Sequence, residues 1–150
     1  MCAIKLLFSA VLLAGLVSPA NGNLLRLTSD KHDNRRPAWS ADGKWIAYVS
    51  TRGKGVFLIV RRSDGSGQAK GITGELVSES RFCWQPDRNR IAFARRTKNG
   101  TAVCLYDLES GDTTDIAIGK DPCFRFDGKM LAFLKQGRIW LTNLDEQNER

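Results

Sequence analysis

Three aspartates occupy the same position in three copies of a repeated pattern, which makes them the first residues to consider for chemistry. They are Asp42, Asp87 and Asp127. Carboxylates are ligands for hard cations such as calcium, so a shared site would bind a metal ion. Asp42 and Asp127 are each followed by glycine, and Asp-Gly is typical of tight turns between strands. Because each aspartate belongs to a different copy, we interpret them as turn residues and predict no metal site and no cofactor.

Nucleophilic and acid–base catalysis have little support in the sequence. The only histidine, His32, lies in the polar segment Asp30–Asp33, where a lone imidazole is more often solvated than catalytic. The G-x-S-x-G pattern of serine hydrolases does not occur. We therefore predict no catalytic residues and a protein that is not an enzyme. Asn99-Gly100-Thr101 fits the pattern of an N-glycosylation site, which matters only in a eukaryotic source.

The chain has four cysteines. Cys2 precedes an apolar segment at the N-terminus, and the others are Cys83, Cys104 and Cys123. Three cysteines cannot form a closed disulfide framework, and no C-x-x-C spacing indicates zinc binding or thiol redox chemistry. We predict that they are small buried hydrophobic residues, with a single disulfide as the alternative in an oxidising compartment.

Residues 1–22 have the layout of a secretory signal peptide. Lys5 precedes the apolar core Leu6–Val17, and small residues near Ala20 and Gly22 suit a signal peptidase. The core is short for a membrane span, and a short membrane anchor is the alternative interpretation. No later apolar run reaches membrane-spanning length. We therefore predict a periplasmic or secreted protein without a transmembrane segment after signal removal.

The chain carries an excess of positive charge. It has 23 Lys and Arg residues against 16 Asp and Glu, a formal net charge of +7, which favours anionic partners without identifying one. The basic residues come as scattered pairs, at Arg35-Arg36, Arg61-Arg62 and Arg95-Arg96. Because a dense basic stretch is missing from an exported chain, we predict that nucleic acid is not a partner.

A repeat runs through the rest of the chain. Its copies begin with Pro37–Tyr48, Phe82–Phe93 and Pro122–Phe133. In every copy an aromatic residue precedes the aspartate by three positions, and an aliphatic–Ala–aromatic triplet follows it by four. Strand-forming segments that alternate with glycine turns give four strands per repeat, which is the content of a propeller blade. We predict an all-β fold of about three four-stranded antiparallel β-propeller blades.

The repeat has a definite phase along residues 23–150. The blades are predicted near residues 37–73, 82–118 and 122–144, the last with three strands. Leu24–Thr28 matches the fourth strand that ends at Ile72-Thr73. We predict that residues 24–28 are an orphan closing strand, because propellers close when the first strand of the chain completes the last blade. The aromatic residues that recur at the repeat period are predicted to pack between blades: Trp39, Trp84 and Phe124.

These residues resemble the repeat of the TolB-type β-propeller family, also described as WD40-like or PD40. The first copy matches it at Pro37–Lys44 (Pro-x-Trp-Ser-x-Asp-Gly-Lys), Ile46–Tyr48, Asp64-Gly65 and Ile72-Thr73. The resemblance covers residues 24–150. It implies half of the six-bladed ring of that family, without the small N-terminal domain that precedes the ring in TolB-type proteins.

The resemblance implies two kinds of function. One is an exported, non-catalytic scaffold that binds a protein or another partner in the periplasm or cell envelope. The alternative is the remnant or fragment of a propeller-containing peptidase or other enzyme that lacks its catalytic domain. Half a ring also predicts a homodimer, in which Leu24–Thr28 of one chain pairs with Arg138–Leu144 of another.

Overall fold

The computed structural model describes residues 24–73, 75–77 and 80–144, so the predicted signal peptide lies outside the described residues. Within those ranges the chain forms strands, turns and bends, without a helix. The strands are β1 (Asp33–Trp39), β2 (Trp45–Arg52), β3 (Gly55–Arg62), β4 (Lys70–Thr73), β5 (Cys83–Trp84), β6 (Arg90–Thr97), β7 (Gly100–Asp107), β8 (Thr113–Ile118), β9 (Lys120–Phe124), β10 (Met130–Lys135) and β11 (Arg138–Asn143).

The strands form three antiparallel sheets in chain order. Blade 1 is β1-β2-β3-β4, blade 2 is β5-β6-β7-β8, and blade 3 is β9-β10-β11. Gly43 and Gly128, which follow the turn aspartates of blades 1 and 3, have φ values of 69° and 73°, where glycine has no steric penalty. The predicted all-β fold with blade-like sheets is therefore confirmed.

Blades 1 and 2 pack face to face over the larger hydrophobic core. Side chains alternate between the two faces of a strand, so β2 and β3 turn one set of residues towards blade 2. That set is small and aliphatic: Ala47, Val49, Leu58 and Val60. Blade 2 covers it with a bulkier set that contains Trp84, Ile91, Phe93 and Tyr106. The interface therefore joins an aliphatic face to an aromatic face.

Blades 2 and 3 repeat this arrangement. Ala92 and Val103 lie on the far face of blade 2 and pack against Leu131 and Phe133 of blade 3. Leu131 and Phe133 occupy the positions that Ile91 and Phe93 hold in blade 2. Each blade thus places its aromatic face on the aliphatic face of the blade before it.

The recurring aromatic residue in the first strand of each blade follows the same rule. Trp84 is buried and donates a hydrogen bond from Nε1 to the Ala38 carbonyl of blade 1 at 3.0 Å. Phe124 packs against the core between blades 2 and 3. Trp39 differs, because 61% of its surface is exposed. It faces the side of blade 1 on which no earlier blade of the described chain lies.

Residues 24–28 form no strand in the structure. Leu27 instead packs on the outer face of blade 1, against Ile46, Tyr48 and Ile59. The Leu27 carbonyl accepts a hydrogen bond from Arg61 Nη1. Strand pairing requires a neighbouring edge, and no strand of the described chain lies beside this segment. Its predicted role as a closing strand stays a prediction.

The connection from blade 1 to blade 2 ties the two sheets together. Leu76 is buried, and its backbone N–H donates to the Val56 carbonyl of blade 1 at 3.2 Å. The neighbouring Val77 N–H donates to the Ala94 carbonyl of blade 2 at 3.0 Å. These bonds fix the position of one blade relative to the next.

The three described cysteines are free thiols, so the structure contains no disulfide among them. Burial raises the pKa of the Cys83 thiol to about 12. Burial, together with a hydrogen bond from Cys104 Sγ to Asp115, raises the pKa of Cys104 to about 12. Cys123 differs, because it is exposed on the outer face of blade 3.

Replacing Phe93 with alanine is expected to destabilise the fold strongly. Phe93 is fully buried between blades 1 and 2, and emptying such a site costs about 3–5 kcal/mol of unfolding free energy. The matched control is Phe126→Ala, because Phe126 is 89% exposed and its loss should cost less than about 0.5 kcal/mol. Urea unfolding measures both values, and equal losses would contradict the assigned core.

The cysteines are expected to differ in reactivity. At pH 8 an alkylating reagent should label Cys123, because it is exposed. Cys83 and Cys104 should stay unmodified, because thiolates are the reactive form and the pKa of each of these thiols is raised to about 12. Peptide mass mapping after a timed reaction measures each site. Labelling in urea provides the control, since unfolding should make all three reactive. Rapid labelling of Cys104 in the folded protein would contradict the structure.

Candidate interaction surfaces

The turn aspartates of blades 1 and 3 are engaged in local hydrogen bonds. Asp42 Oδ1 accepts bonds from Ser40 Oγ at 2.7 Å and the Lys44 N–H at 3.0 Å. Asp127 Oδ1 accepts bonds from Arg125 Nε at 2.9 Å and the Lys129 N–H at 3.1 Å. The bond from Ser40 lowers the pKa of Asp42, and the bond from Arg125 lowers that of Asp127 to about 2. Both carboxylates therefore stabilise the turns in which they lie.

The third aspartate contacts the next blade. The Asp87 carboxylate lies so close to Gly128 of blade 3 that a Cβ there would overlap it. Asn89, in the same turn, donates from Nδ2 to Asp42 Oδ2 of blade 1 at 3.3 Å. These turns connect neighbouring blades. Across residues 24–73, 75–77 and 80–144, no group of three or more His, Cys, Asp and Glu side chains is arranged to bind a metal ion.

The remaining residues that the sequence singled out lie apart on the surface. His32 is exposed, in a bend where its N–H donates to Asp30 Oδ1 at 3.2 Å. Asn99 is exposed in the turn between β6 and β7, where its N–H donates to Thr97 Oγ1 at 3.3 Å. The structure does not bring His32, Asn99 and the turn aspartates together into one site.

A cleft of about 800 Å³ lies between blades 1 and 2, at the ends of the β2–β3 and β6–β7 hairpins. Arg95 lines it and forms an ion pair with Asp115 at 2.8 Å. Three further basic residues, Lys54, Arg96 and Lys98, line it together with the exposed Glu75. No ion pair joins these three basic side chains to a carboxylate of the described chain. We call this cleft, with its three basic residues Lys54, Arg96 and Lys98, the cationic cleft.

The cationic cleft was not predicted from the sequence. Its lysines lie in hairpin turns of successive repeats, at Lys54 and Lys98. That recurrence in the sequence indicates that two lysines lie at the same end of neighbouring blades. The contribution of Arg96 depends on how β6 is positioned beside blade 1, which follows from the connection through Leu76.

The outer face of blade 1 is mostly apolar, and Arg61, the β3 partner of Ile46, lies on it as well. Antiparallel partners share a face, so the pairs Trp39–Ile46 and Tyr48–Ile59 lie on the same side of the sheet. Leu27 covers the middle of this surface, which leaves Ile46, Tyr48 and Ile59 buried and Trp39 exposed.

The outer face of blade 3 is apolar and open. Leu131 and Phe133 point towards blade 2, so alternation places Ala132 and Leu134 on the opposite side. Their partners in β11, Leu141 and Ile139, are 64% and 76% exposed. Single exposed apolar residues are common; here two exposed apolar residues lie side by side on an open sheet face.

Residues 24–73, 75–77 and 80–144 contain no helix that is long and apolar enough to cross a membrane.

No protein-family model and no curated protein sequence matches the chain. Solved structures do match it. The crystal structure of TolB from Acinetobacter baumannii superimposes with a TM-score of 0.62 and 21% identity, covering 79% of this chain and 31% of that one. The β-propeller domain of the Trilobed protease from Pyrococcus furiosus, described as having an open velcro topology, gives a TM-score of 0.61 and 17% identity.

The second match covers 77% of this chain and 40% of that one, so the chain spans well under half of either structure. At these identities the matches concern the fold. The described chain forms three antiparallel sheets in chain order and superimposes on two β-propeller structures. It therefore has the fold of a partial TolB-like β-propeller.

Proposed function

We propose that the protein is an exported, non-catalytic β-propeller scaffold that binds a protein partner in the periplasm or cell envelope. The observation that carries the proposal is the cationic cleft between two packed blades. Lys54, Arg96 and Lys98 present three positive charges without carboxylate partners in the described chain. Such a concave charged surface favours a partner with an acidic segment.

The non-catalytic part of the proposal is supported by the engagement of the candidate groups. The carboxylates of Asp42 and Asp127 accept the hydrogen bonds of their own turns. Burial raises the pKa of the Cys83 and Cys104 thiols to about 12, which keeps them protonated at neutral pH. These groups stabilise the blades and are poor nucleophiles or bases in that state.

The scaffold in this proposal is a ring, with three blades from each of two chains. Propellers have about four to eight blades, and within the described chain blades 1 and 3 each leave one outer face without a neighbouring blade. A second copy supplies both missing neighbours.

The alternative is that the chain is a remnant or fragment of a propeller-containing peptidase. The superposition on the propeller domain of a protease favours this possibility. Under this alternative, the coding sequence that flanks the gene should contain further repeats or a G-x-S-x-G module. Flanking sequence without either would favour the scaffold.

Export is expected to remove the N-terminal segment. If residues 1–22 are a signal peptide, the protein recovered from the periplasm or medium of a fractionated host should begin near residue 21 or 23. N-terminal sequencing and intact mass measure this directly. A cytosolic product that still begins at Met1 would contradict export.

Binding through the cationic cleft is expected to depend on its charge. A variant with Lys54→Glu, Arg96→Glu and Lys98→Glu should capture its envelope partners at least about 10-fold less well than the unmodified chain. The matched control replaces Lys31, Lys44 and Lys129 with glutamate, because these exposed residues lie outside the cleft. Quantitative mass spectrometry of envelope proteins retained on the immobilised chain gives the readout. Equal retention by both variants would contradict the role of the cleft.

A further inference from the structure

We propose that two copies of the chain dock head to tail, with the outer face of blade 3 in one copy covering the outer face of blade 1 in the other. The inference rests on the proposed ring and specifies the surfaces that build it. Both surfaces belong to this chain, and the contacts between its own blades provide the template.

The two interfaces within the chain have the same polarity. The earlier blade contributes an aliphatic face, with Ala47 and Val49 in blade 1. The later blade contributes an aromatic face, with Trp84 and Phe93 in blade 2. Blade 3 repeats the rule, because its aromatic face packs on the aliphatic face of blade 2.

The two outer faces are the unmatched halves of this interface. Blade 1 presents the aromatic half, in which Trp39 and Tyr48 hold the positions of Trp84 and Phe93. Blade 3 presents the aliphatic half, in which Ala132 and Leu134 hold the positions of Ala47 and Val49. A second copy therefore offers each face the kind of surface that it would meet inside the chain.

Trp39 has a specific place in this contact. Trp84 is 9% exposed and donates from Nε1 to the carbonyl of Ala38, whereas Trp39 is 61% exposed. The residue of blade 3 that corresponds to Ala38 is Cys123. Docking would bury Trp39 and place its Nε1 within reach of the carbonyl of Cys123 of the partner subunit.

The N-terminal segment provides independent support. Leu27 corresponds to Ile72 of the fourth strand of blade 1, and Ile72 packs at the interface with blade 2. Leu27 packs on the equivalent surface of blade 1 itself. Residues 24–28 therefore lie where the fourth strand of an earlier blade would lie, and no earlier blade is formed by the described residues.

Blade 3 offers the complementary edge. Among the described residues it contains three strands, with β11 at its edge. Docking brings β11 of one copy next to residues 24–28 of the other, which complete the blade as its fourth strand. The same contact forms twice around a two-fold axis, so the assembly closes as a ring of six blades and leaves no free face.

The test is the mass of the full chain in solution, measured by light scattering over a range of concentrations. We expect a dimer, and Ile139→Asp or Trp39→Asp should weaken it at least about 30-fold, the effect expected of an interface hot spot. Ile118→Asp is the matched control, because Ile118 is partly exposed on β8 of the middle blade. Trp39→Phe should keep the dimer, since Phe124 fills the equivalent position in blade 3. Circular dichroism confirms that each variant is folded.

Mixing the two disruptive variants tests the head-to-tail geometry. A Trp39→Asp copy retains its blade 3 face, and an Ile139→Asp copy retains its blade 1 face. An equimolar mixture should therefore form a heterodimer through one intact interface. Failure of the mixture to associate, while each unmodified face is present, would overturn the head-to-tail contact.

Other outcomes also decide the proposal. A folded monomer at all concentrations, or a dimer that survives both disruptive substitutions, would overturn the docking. Assemblies that grow beyond two copies would overturn ring closure. Loss of docking is expected to leave partner capture by the cationic cleft unaffected, so failure of the ring is distinguishable from failure of partner binding through the cleft.

Discussion

The structure depends on one kind of contact, the packing of an aromatic sheet face on the aliphatic face of the preceding blade. A single four-stranded sheet has two faces and cannot bury either by itself. Ala47 and Leu58 of blade 1 become buried because Phe93 of blade 2 lies over them. The stability of each blade therefore depends partly on its contact with the neighbouring blade, as in other repeat proteins.

The same contact also determines where the cleft and the two outer faces lie. Blades 1 and 2 pack over a shared core, and the cationic cleft lies beside that core, at the β2–β3 and β6–β7 hairpins. The backbone bonds of Leu76 and Val77 connect the two blades beside this cleft. The contact also accounts for the two outer faces, since the rule that buries Trp84 leaves Trp39 exposed.

The sequence predicted the parts of the fold that repeat. The fourth strand of blade 1, Lys70–Thr73, and the burial of Trp84 followed from spacing alone. The exposure of Trp39 did not, because an identical residue type at an identical repeat position has a different neighbour. The unpaired state of residues 24–28 also depends on the absence of a strand beside them. The cleft required the relative placement of Lys54 and Arg96, which lie in different sheets. Local pattern thus predicted local structure, and surfaces formed between blades required the assembled sheets.

Hydrogen exchange at β11 tests the account most directly. Residues Arg138–Asn143 form the edge of a three-stranded blade, so their outward-facing amides have no partner strand among the described residues of one chain. If residues 24–28 of a second copy pair with this edge, exchange in β11 should slow as protein concentration rises, while exchange in the central strand β6 stays constant. Fast exchange in β11 at every concentration would contradict the account.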